Sequence, residues 1–292
     1  MRVALIFDKT RPDTTGVYLE RVCHQLGLAA DHWWLRDVER IPAAYDLYLR
    51  IDHGDDYAVP LPPRLRPAVF YVIDTHVPHN WRKIRRIAPR YDLIFCSQRE
   101  AAECLPDAKW LPLACDAELH RRIDTPMVWD VAFVGTDGGA PRKFYLQALR
   151  ERYRSSFIGR ADYRELASIY SRARIGFNYS IANDVNMRIF EILASETILL
   201  TNALDGDDLR RLGLEDRRHL VLYRTPRQLF DLIDDLLAHP QQREAMAQAG
   251  ARLARERHTY AHRMSQLLHH TASTLDVALP QLREELTAGS FS

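Results

Sequence analysis

Asn186-Met187-Arg188-Ile189-Phe190-Glu191-Ile192-Leu193-Ala194-Ser195 is followed, after Glu196, by Thr197-Ile198-Leu199-Leu200-Thr201. Wound as a helix, the first segment is apolar around most of its girth, and Arg188, Glu191 and Ser195 fall at i, i+3 and i+7 as one polar stripe. Such a helix is buried, and a buried carboxylate is rare unless something pairs with it. The second segment is an unbroken apolar run, the pattern of a parallel strand covered on both faces. Together they predict an α/β unit with a guanidinium and a carboxylate near the start of a buried helix. Glu191 there can accept hydrogen bonds from two vicinal hydroxyls, as a carboxylate does when it holds a ribose. The competing reading is an Arg188–Glu191 ion pair within the helix, worth only a few tenths of a kcal/mol. The buried setting favours a ligand.

The same alternation runs through the chain. Val3–Phe7, Leu47–Ile51, Ala68–Ile73 and Leu93–Cys96 read as strands, with Thr15–Leu26 and Gln98–Cys104 as helices. A second series starts at Trp129 and alternates through Val131–Val134, Arg142–Tyr153, Ser156–Ile158, Tyr163–Ser171, Ile175–Asn178, the opening helix, Ile198–Leu200 and Leu220–Leu222. Beyond Thr225 the chain is helical, and Thr287–Ser292 is expected to fray. Strands separated by helices pair in parallel. Two doubly wound, Rossmann-like domains are therefore expected, over 1–120 and 121–261, with a boundary in the polar stretch from His120 to Pro126 and 262–292 a candidate to pack back on the first. Tandem domains of this kind place ligands in a cleft at the carboxyl ends of their strands.

Bulk properties narrow the function. The 292 residues suffice for two domains, and the 47% hydrophobic and 27% charged content is ordinary for a globular protein. A formal net charge of +1 gives no whole-molecule argument for nucleic acid. The four cysteines form no CxxC pair, so reduced thiols and a cytoplasmic location are expected. The first strand follows Arg2 at once, so no cleavable leader is expected, and no apolar run is long enough to span a bilayer. No HExxH, GxSxG or Cys/His nucleophile pattern occurs, and no metal site is expected.

Several strand ends carry chemistry. Gly135-Thr136-Asp137-Gly138-Gly139-Ala140-Pro141-Arg142-Lys143 links a strand to a helix; its glycines admit a ligand to the backbone, Pro141 suits a first helical position, and Arg142 and Lys143 add charge for phosphate. A plain glycine-rich turn with a basic pair accounts for it equally well. At Gly159-Arg160-Ala161-Asp162-Tyr163 a strand ends and Asp162 caps the next helix; a nucleobase can bind there, or the turn is an ordinary capped one. In the first half, Asp74-Thr75-His76 and Asp52-His53-Gly54 each close a strand, and a His and an Asp at a cleft can polarise a hydroxyl. His76 is preferred because its strand is the more convincing. Trp81-Arg82-Lys83-Ile84-Arg85-Arg86-Ile87-Ala88-Pro89-Arg90 reads first as a solvated helix face docked through Ile84 and Ile87, and second as a contact for a membrane surface or an anionic acceptor.

Val131-Ala132-Phe133-Val134-Gly135-Thr136, Ile169–Asn178, Arg188–Ala194 and the tail His258-Thr259-Tyr260-Ala261-His262-Arg263 resemble the nucleotide-binding half of group 1 glycosyltransferases of the GT-B fold, closest to the spore-maturation-protein-like branch. Motif-level similarity covers about Asp130 to Leu268. Asp74-Thr75-His76, Tyr91–Phe95 and Leu111–Asp116 are similar to the same branch more weakly. The resemblance implies a GT-B fold and transfer of a sugar from a nucleotide-sugar, UDP- or GDP-linked, to an acceptor hydroxyl. It implies a retaining reaction without a bound metal or other cofactor. It also implies that Glu191 holds the ribose and that the donor nucleotide meets Arg188, Gly135, Thr136, Arg142, Lys143, Gly159, Arg160, Tyr163 and Asn178. His76 or Asp74 would face the donor sugar or the acceptor, which is a glycan, a protein or a lipid-linked molecule. Two positions depart from the pattern: Asn183 stands where retaining relatives often carry Glu, and Glu196 where the family tends to have Gly. A degenerate, non-catalytic nucleotide-sugar-binding or scaffold protein is the alternative.

Overall fold

The structure, a computed structural model, describes residues 1–54 and 57–275. The chain divides into two compact units. The first contains β1 (Arg2–Ile6), α1 (Thr15–Gln25), β2 (Ala29–Trp33), β3 (Leu47–Ile51), β4 (Ala68–Val72), α2 (Pro78–Ile87), β5 (Leu93–Cys96), α3 (Arg99–Glu103) and β6 (Lys109–Trp110). The second contains β7 (Trp129–Val134), α4 (Arg142–Arg152), β8 (Ser156–Gly159), α5 (Leu166–Ser171), β9 (Ala173–Asn178), α6 (Met187–Ala194), β10 (Ile198–Asn202), α7 (Asp208–Arg211), β11 (Val221–Tyr223), α8 (Pro226–Ala238) and α9 (Pro240–Arg257). The last described helix, α10 (Tyr260–Leu275), belongs to the first unit: Tyr260 stacks on Tyr18 of α1 at 5.3 Å between ring centroids, and its hydroxyl lies 3.3 Å from that of Thr15. The expected continuation of this helix to 292, and the fraying of Thr287–Ser292, lie outside the described residues.

The first unit ends at Leu113 and the second runs over Ala114–Thr259, so the division falls before the polar stretch from His120. The reason is local. The Cys115 amide donates to the His258 carbonyl at 3.0 Å, which ties this segment to the end of α9.

Both sheets are wholly parallel. The first has the order β2-β1-β3-β4-β5-β6 and the second β11-β10-β9-β7-β8. Each unit thus places its second strand outside its first and its third on the other side. Chain direction across the sheet reverses between the first and third strands, and there the carboxyl ends open a crevice. The central strands β3, β4 and β5 are buried along their whole length, and β1, β7, β9 and β10 over most of theirs, as their apolar runs require. The edge strands β2 and β6 are half-buried and carry Asp31, His32 and Lys109, so no apolar run betrays them. In the second unit α6 lies directly on β9, and a Cβ at Gly176 would overlap Ile192. In the first, α2 docks through Ile84 and Ile87, while Arg82, Arg85 and Arg86 are exposed.

Asp52 closes β3 and is 5% exposed. One carboxylate oxygen accepts from the Gly54 amide at 2.9 Å and the Tyr57 hydroxyl at 2.7 Å; the other accepts from the amides of Ile73 and Asp74 at 2.9 and 3.2 Å. Burial first, and then the charge of Asp52, push the Tyr57 phenol above its usual range. With four donors satisfied, this carboxylate fastens the end of β3 to the end of β4. Asp52→Ala should therefore lower unfolding free energy by about 3 kcal/mol, since it strands several buried donors. Urea unfolding measures this, and a loss well under about 1 kcal/mol would remove the structural role.

Candidate functional site

In the second unit the crevice opens between β7 and β9, which end at Val134 and Asn178. Arg188, in the first turn of α6, bridges them. Its Nε donates to the Val134 carbonyl at 2.8 Å and its Nη1 to Asn178 Oδ1 at 3.0 Å. Asn178 is fully buried, and its amide nitrogen donates to Thr201 Oγ1 on β10 at 3.0 Å. One guanidinium is thus keyed to three neighbouring strands, and Asn178 sits behind it as its anchor. Gly135 (φ +149°) passes so close to Arg188 that a side chain there would overlap the guanidinium.

Arg142 opens α4 and folds back over the glycine loop. It donates to the Asp137 carbonyl at 3.0 Å and to the Tyr179 carbonyl at 3.4 Å. Its guanidinium carbon lies 5.6 Å from the centre of the Phe133 ring, and that of Arg188 lies 4.6 Å from the same ring. Two cations converge on one buried phenyl at the carboxyl end of β7. Burial, and then the charge of Arg188, pull Arg142 below its usual range, while Asp184 and Asp137 act the other way. Like charges this close are relieved by a bound anion. Pro141 occupies the cap position rather than the first helical one, so the helix begins at Arg142 itself. Thr136 is exposed on this loop and Lys143 in the first turn of α4.

Glu191 lies one turn further into α6 and is 9% exposed. Among the described residues, no N–H or O–H donates to its carboxylate, and it does not pair with Arg188, which is committed to Val134 and Asn178. Its nearest titratable neighbour across the chain is His120, whose Nε2 lies 3.8 Å from Glu191 Oε1. Ser195 does not extend the polar stripe towards a ligand. It is fully buried and its hydroxyl donates to the Glu191 carbonyl at 2.8 Å, because a serine this deep must return to the helix backbone for an acceptor.

At the neighbouring strand end, the Gly159 carbonyl accepts from the Gly135 amide at 2.8 Å. A Cβ at Gly159 would meet nothing within 4 Å, so the backbone is open there. Arg160 is exposed, and Tyr163 is half-buried with the Arg164 guanidinium 5.5 Å from its ring centre. Asp162 forms a capping box with Glu165, and Arg164 holds its carboxyl down to about 2. In the first unit, the Asp74 amide is tied to Asp52, and His76 is exposed with its Nδ1 3.5 Å from the Gln98 amide. The crevice of that sheet, between β1 and β3, holds His53, whose Nδ1 accepts from the Asp8 amide at 3.4 Å. His120 and Phe133 escaped sequence reasoning: one stands in what reads as a linker, the other inside an apolar strand. Among the described residues, no cluster of three or more His, Cys, Asp or Glu is placed to hold a metal ion, and no helix is long and apolar enough to cross a membrane.

A family model described as glycosyl transferase-like matches residues 118–269. The chain belongs to this family. A search of curated proteins found no match. Among solved structures, that of Anabaena HepE in complex with UDP and glucose superimposes with a TM-score of 0.68 at 12% identity. The T4 phage β-glucosyltransferase with its UDP-glucose substrate gives 0.60 at 13%, and sucrose-phosphate synthase from Thermosynechococcus elongatus gives 0.61 at 12%. In each comparison 94% of this chain and 100% of the other are covered. At such identity the likeness establishes the fold, two Rossmann-like units as in GT-B glycosyltransferases.

Two departures from the glycosyl transferase pattern have structural explanations. Asn183 (φ +56°) clips two loops together: its Oδ1 accepts from the Asp205 amide at 2.6 Å and its amide nitrogen donates to the Asp205 carbonyl at 3.5 Å. Glu196 (φ +55°) ends α6 in the left-handed region, where glycine is the unstrained choice, and its carboxylate lies 3.4 Å from Arg255 on α9. It stands at the opposite end of α6 from Arg188. Glu196→Gly should therefore raise unfolding free energy by about 0.5 kcal/mol, the relief of strain less the added chain entropy. Urea unfolding measures this, and a loss of stability would mean that the native residue carries no strain there.

Proposed function

We propose that this glycosyltransferase moves a sugar from a UDP- or GDP-linked donor to an acceptor hydroxyl, with Glu191 holding the nucleotide ribose. One observation carries the reading: a nearly buried carboxylate that accepts no hydrogen bond from the described residues, one helical turn from a guanidinium fixed at the strand ends. A carboxylate withdrawn from water needs donors, and a vicinal diol supplies two. Arg188 and Arg142 then face the diphosphate, with Gly135 and Thr136 offering backbone, and Lys143 adding charge from the loop. Gly159, Arg160 and Tyr163 border the open strand end on the β8 side and are the proposed neighbours of the base. Asn178 contributes by anchoring Arg188. Two fixed cations aimed at a leaving diphosphate stabilise its developing charge, which supports metal-independent departure.

His76 and Asp74 are the proposed groups for the donor sugar or acceptor; exposure of His76 leaves its ring accessible to substrate. The proposed retaining outcome rests on the resemblance to retaining relatives. Asn183 brings an amide, already engaged by Asp205, to the position where those relatives carry a carboxylate. That observation also supports the second reading, a protein that binds a nucleotide-sugar without turnover. The free cysteines, with Cys104 exposed, suit a reducing compartment and a cytoplasmic location. Arg82, Lys83, Arg85, Arg86 and Arg90 form no ion pair among the described residues, and with Ile84 and Ile87 spent on the core the proposed membrane contact is electrostatic only.

Titration calorimetry with UDP, GDP and the two nucleosides tests the site. Glu191→Ala should weaken the preferred diphosphate at least about ten-fold, the loss of a charge-assisted bond. Arg142→Ala should weaken the diphosphate far more than the nucleoside. Absence of nucleotide binding, or equal loss for diphosphate and nucleoside in Arg142→Ala, rejects the respective assignment. Release or transfer of sugar from a UDP- or GDP-sugar, followed by NMR of the anomeric proton, decides turnover and stereochemistry together.

Cosedimentation with vesicles tests the basic helix. Binding should require anionic lipid, fall steeply with salt, and drop several-fold in Arg82→Glu/Arg85→Glu/Arg86→Glu. Equal binding to neutral vesicles would remove the electrostatic contact.

A further inference from the structure

We infer that His120 is a positioning residue for Glu191, holding one side of the carboxylate while leaving its hydrogen-bonding capacity for a diol. The inference rests on the proposed ribose contact at Glu191.

His120 is 1% exposed and reaches Glu191 from outside α6. It closes a turn with Asp116. The His120 amide donates to the Asp116 carbonyl at 2.8 Å, and the Asp116 amide donates to His120 Nδ1 at 3.0 Å. Asp116, 2% exposed, accepts from the amides of Glu118 and Leu119 at 2.9 and 3.0 Å. The imidazole is thereby fixed through one nitrogen by its own turn, independently of the helix it faces. Because Nδ1 accepts a hydrogen bond, the neutral ring carries its proton on Nε2, the atom 3.8 Å from Glu191 Oε1.

That separation is longer than a hydrogen bond, and the length is the point. The N–H dipole of the neutral ring attracts the carboxylate and sets its rotamer without occupying a lone pair. A guanidinium at the same place would form a two-pronged bond and saturate the group. The carboxylate instead keeps room for both hydroxyls of a ribose. Arg188 cannot do this work, since Val134 and Asn178 hold it.

Three substitutions in the full chain test the role, with the tighter binding of UDP and GDP as one probe and its 2′,3′-dideoxy form as the other. His120→Leu should weaken the ribonucleotide about five-fold and the dideoxy form less than about two-fold, since only the former meets Glu191 through hydroxyls. His120→Gln should restore at least half of the loss, because its amide nitrogen reaches the place of Nε2. His120→Asn keeps an acceptor for the Asp116 amide but withdraws the group facing Glu191, so it should discriminate as His120→Leu does; it also serves if the leucine variant does not fold. Equal loss for both probes in His120→Asn would assign His120 to the turn alone and overturn the inference, as would no loss. Glu191→Gln separates the two readings. If it leaves the preference for ribose intact, the ribose assignment fails. If it abolishes that preference while His120→Asn preserves it, only the role of His120 fails.

Discussion

The guanidinium of Arg188 is the constraint on which the second unit's site depends. A cation at the end of a parallel sheet can satisfy carbonyl and amide oxygens left over where strands stop, and Arg188 does so at β7 and, through Asn178, at β9 and β10. This fixes the start of α6 against the crevice. Everything else about the site follows from that registration. Gly135 must lack a side chain because the guanidinium passes there, and Phe133 offers its ring face to two cations because both converge at the end of its strand. Glu191 comes to lie one turn inside, where water is scarce.

The two units handle a nearly buried carboxylate in opposite ways. Asp52 is surrounded by four donors from its own chain and has no capacity left for a ligand. Glu191 is nearly as buried and has none among the described residues. The same residue chemistry in similar burial therefore serves cohesion in one case and, in the proposed reading, recognition in the other. What separates them is which hydrogen bonds are made, since a buried acceptor left without a donor costs more than a typical hydrogen bond contributes.

That accounting also marks what could be read in the sequence. The central strands were legible because burial on both faces writes an apolar run, and α6 was legible because its polar positions fall on one stripe. The edge strands β2 and β6 were not, since half-exposed strands tolerate Asp, His and Lys. Of the stripe itself, Arg188 and Glu191 kept polar surroundings while Ser195 turned to its own backbone, a choice that sequence spacing does not encode. Asp162 was legible as a cap because capping is local. His120 was invisible for the opposite reason: its partner lies on another element, and a histidine in a polar stretch looks like linker.

Family membership and fold leave the reaction's details to individual residues, and here the physical reasoning is uneven in a useful way. Keeping a carboxylate nearly buried without donors is unfavourable, and the proposed ligand would offset that cost. Binding a diol recovers it directly, whereas Asn183, spent on Asp205, offers no comparable unsatisfied group to the donor sugar. In the proposed site, the nucleotide end is marked by unmet hydrogen bonds and crowded charge, and the exposed His76 is the group proposed for the sugar end.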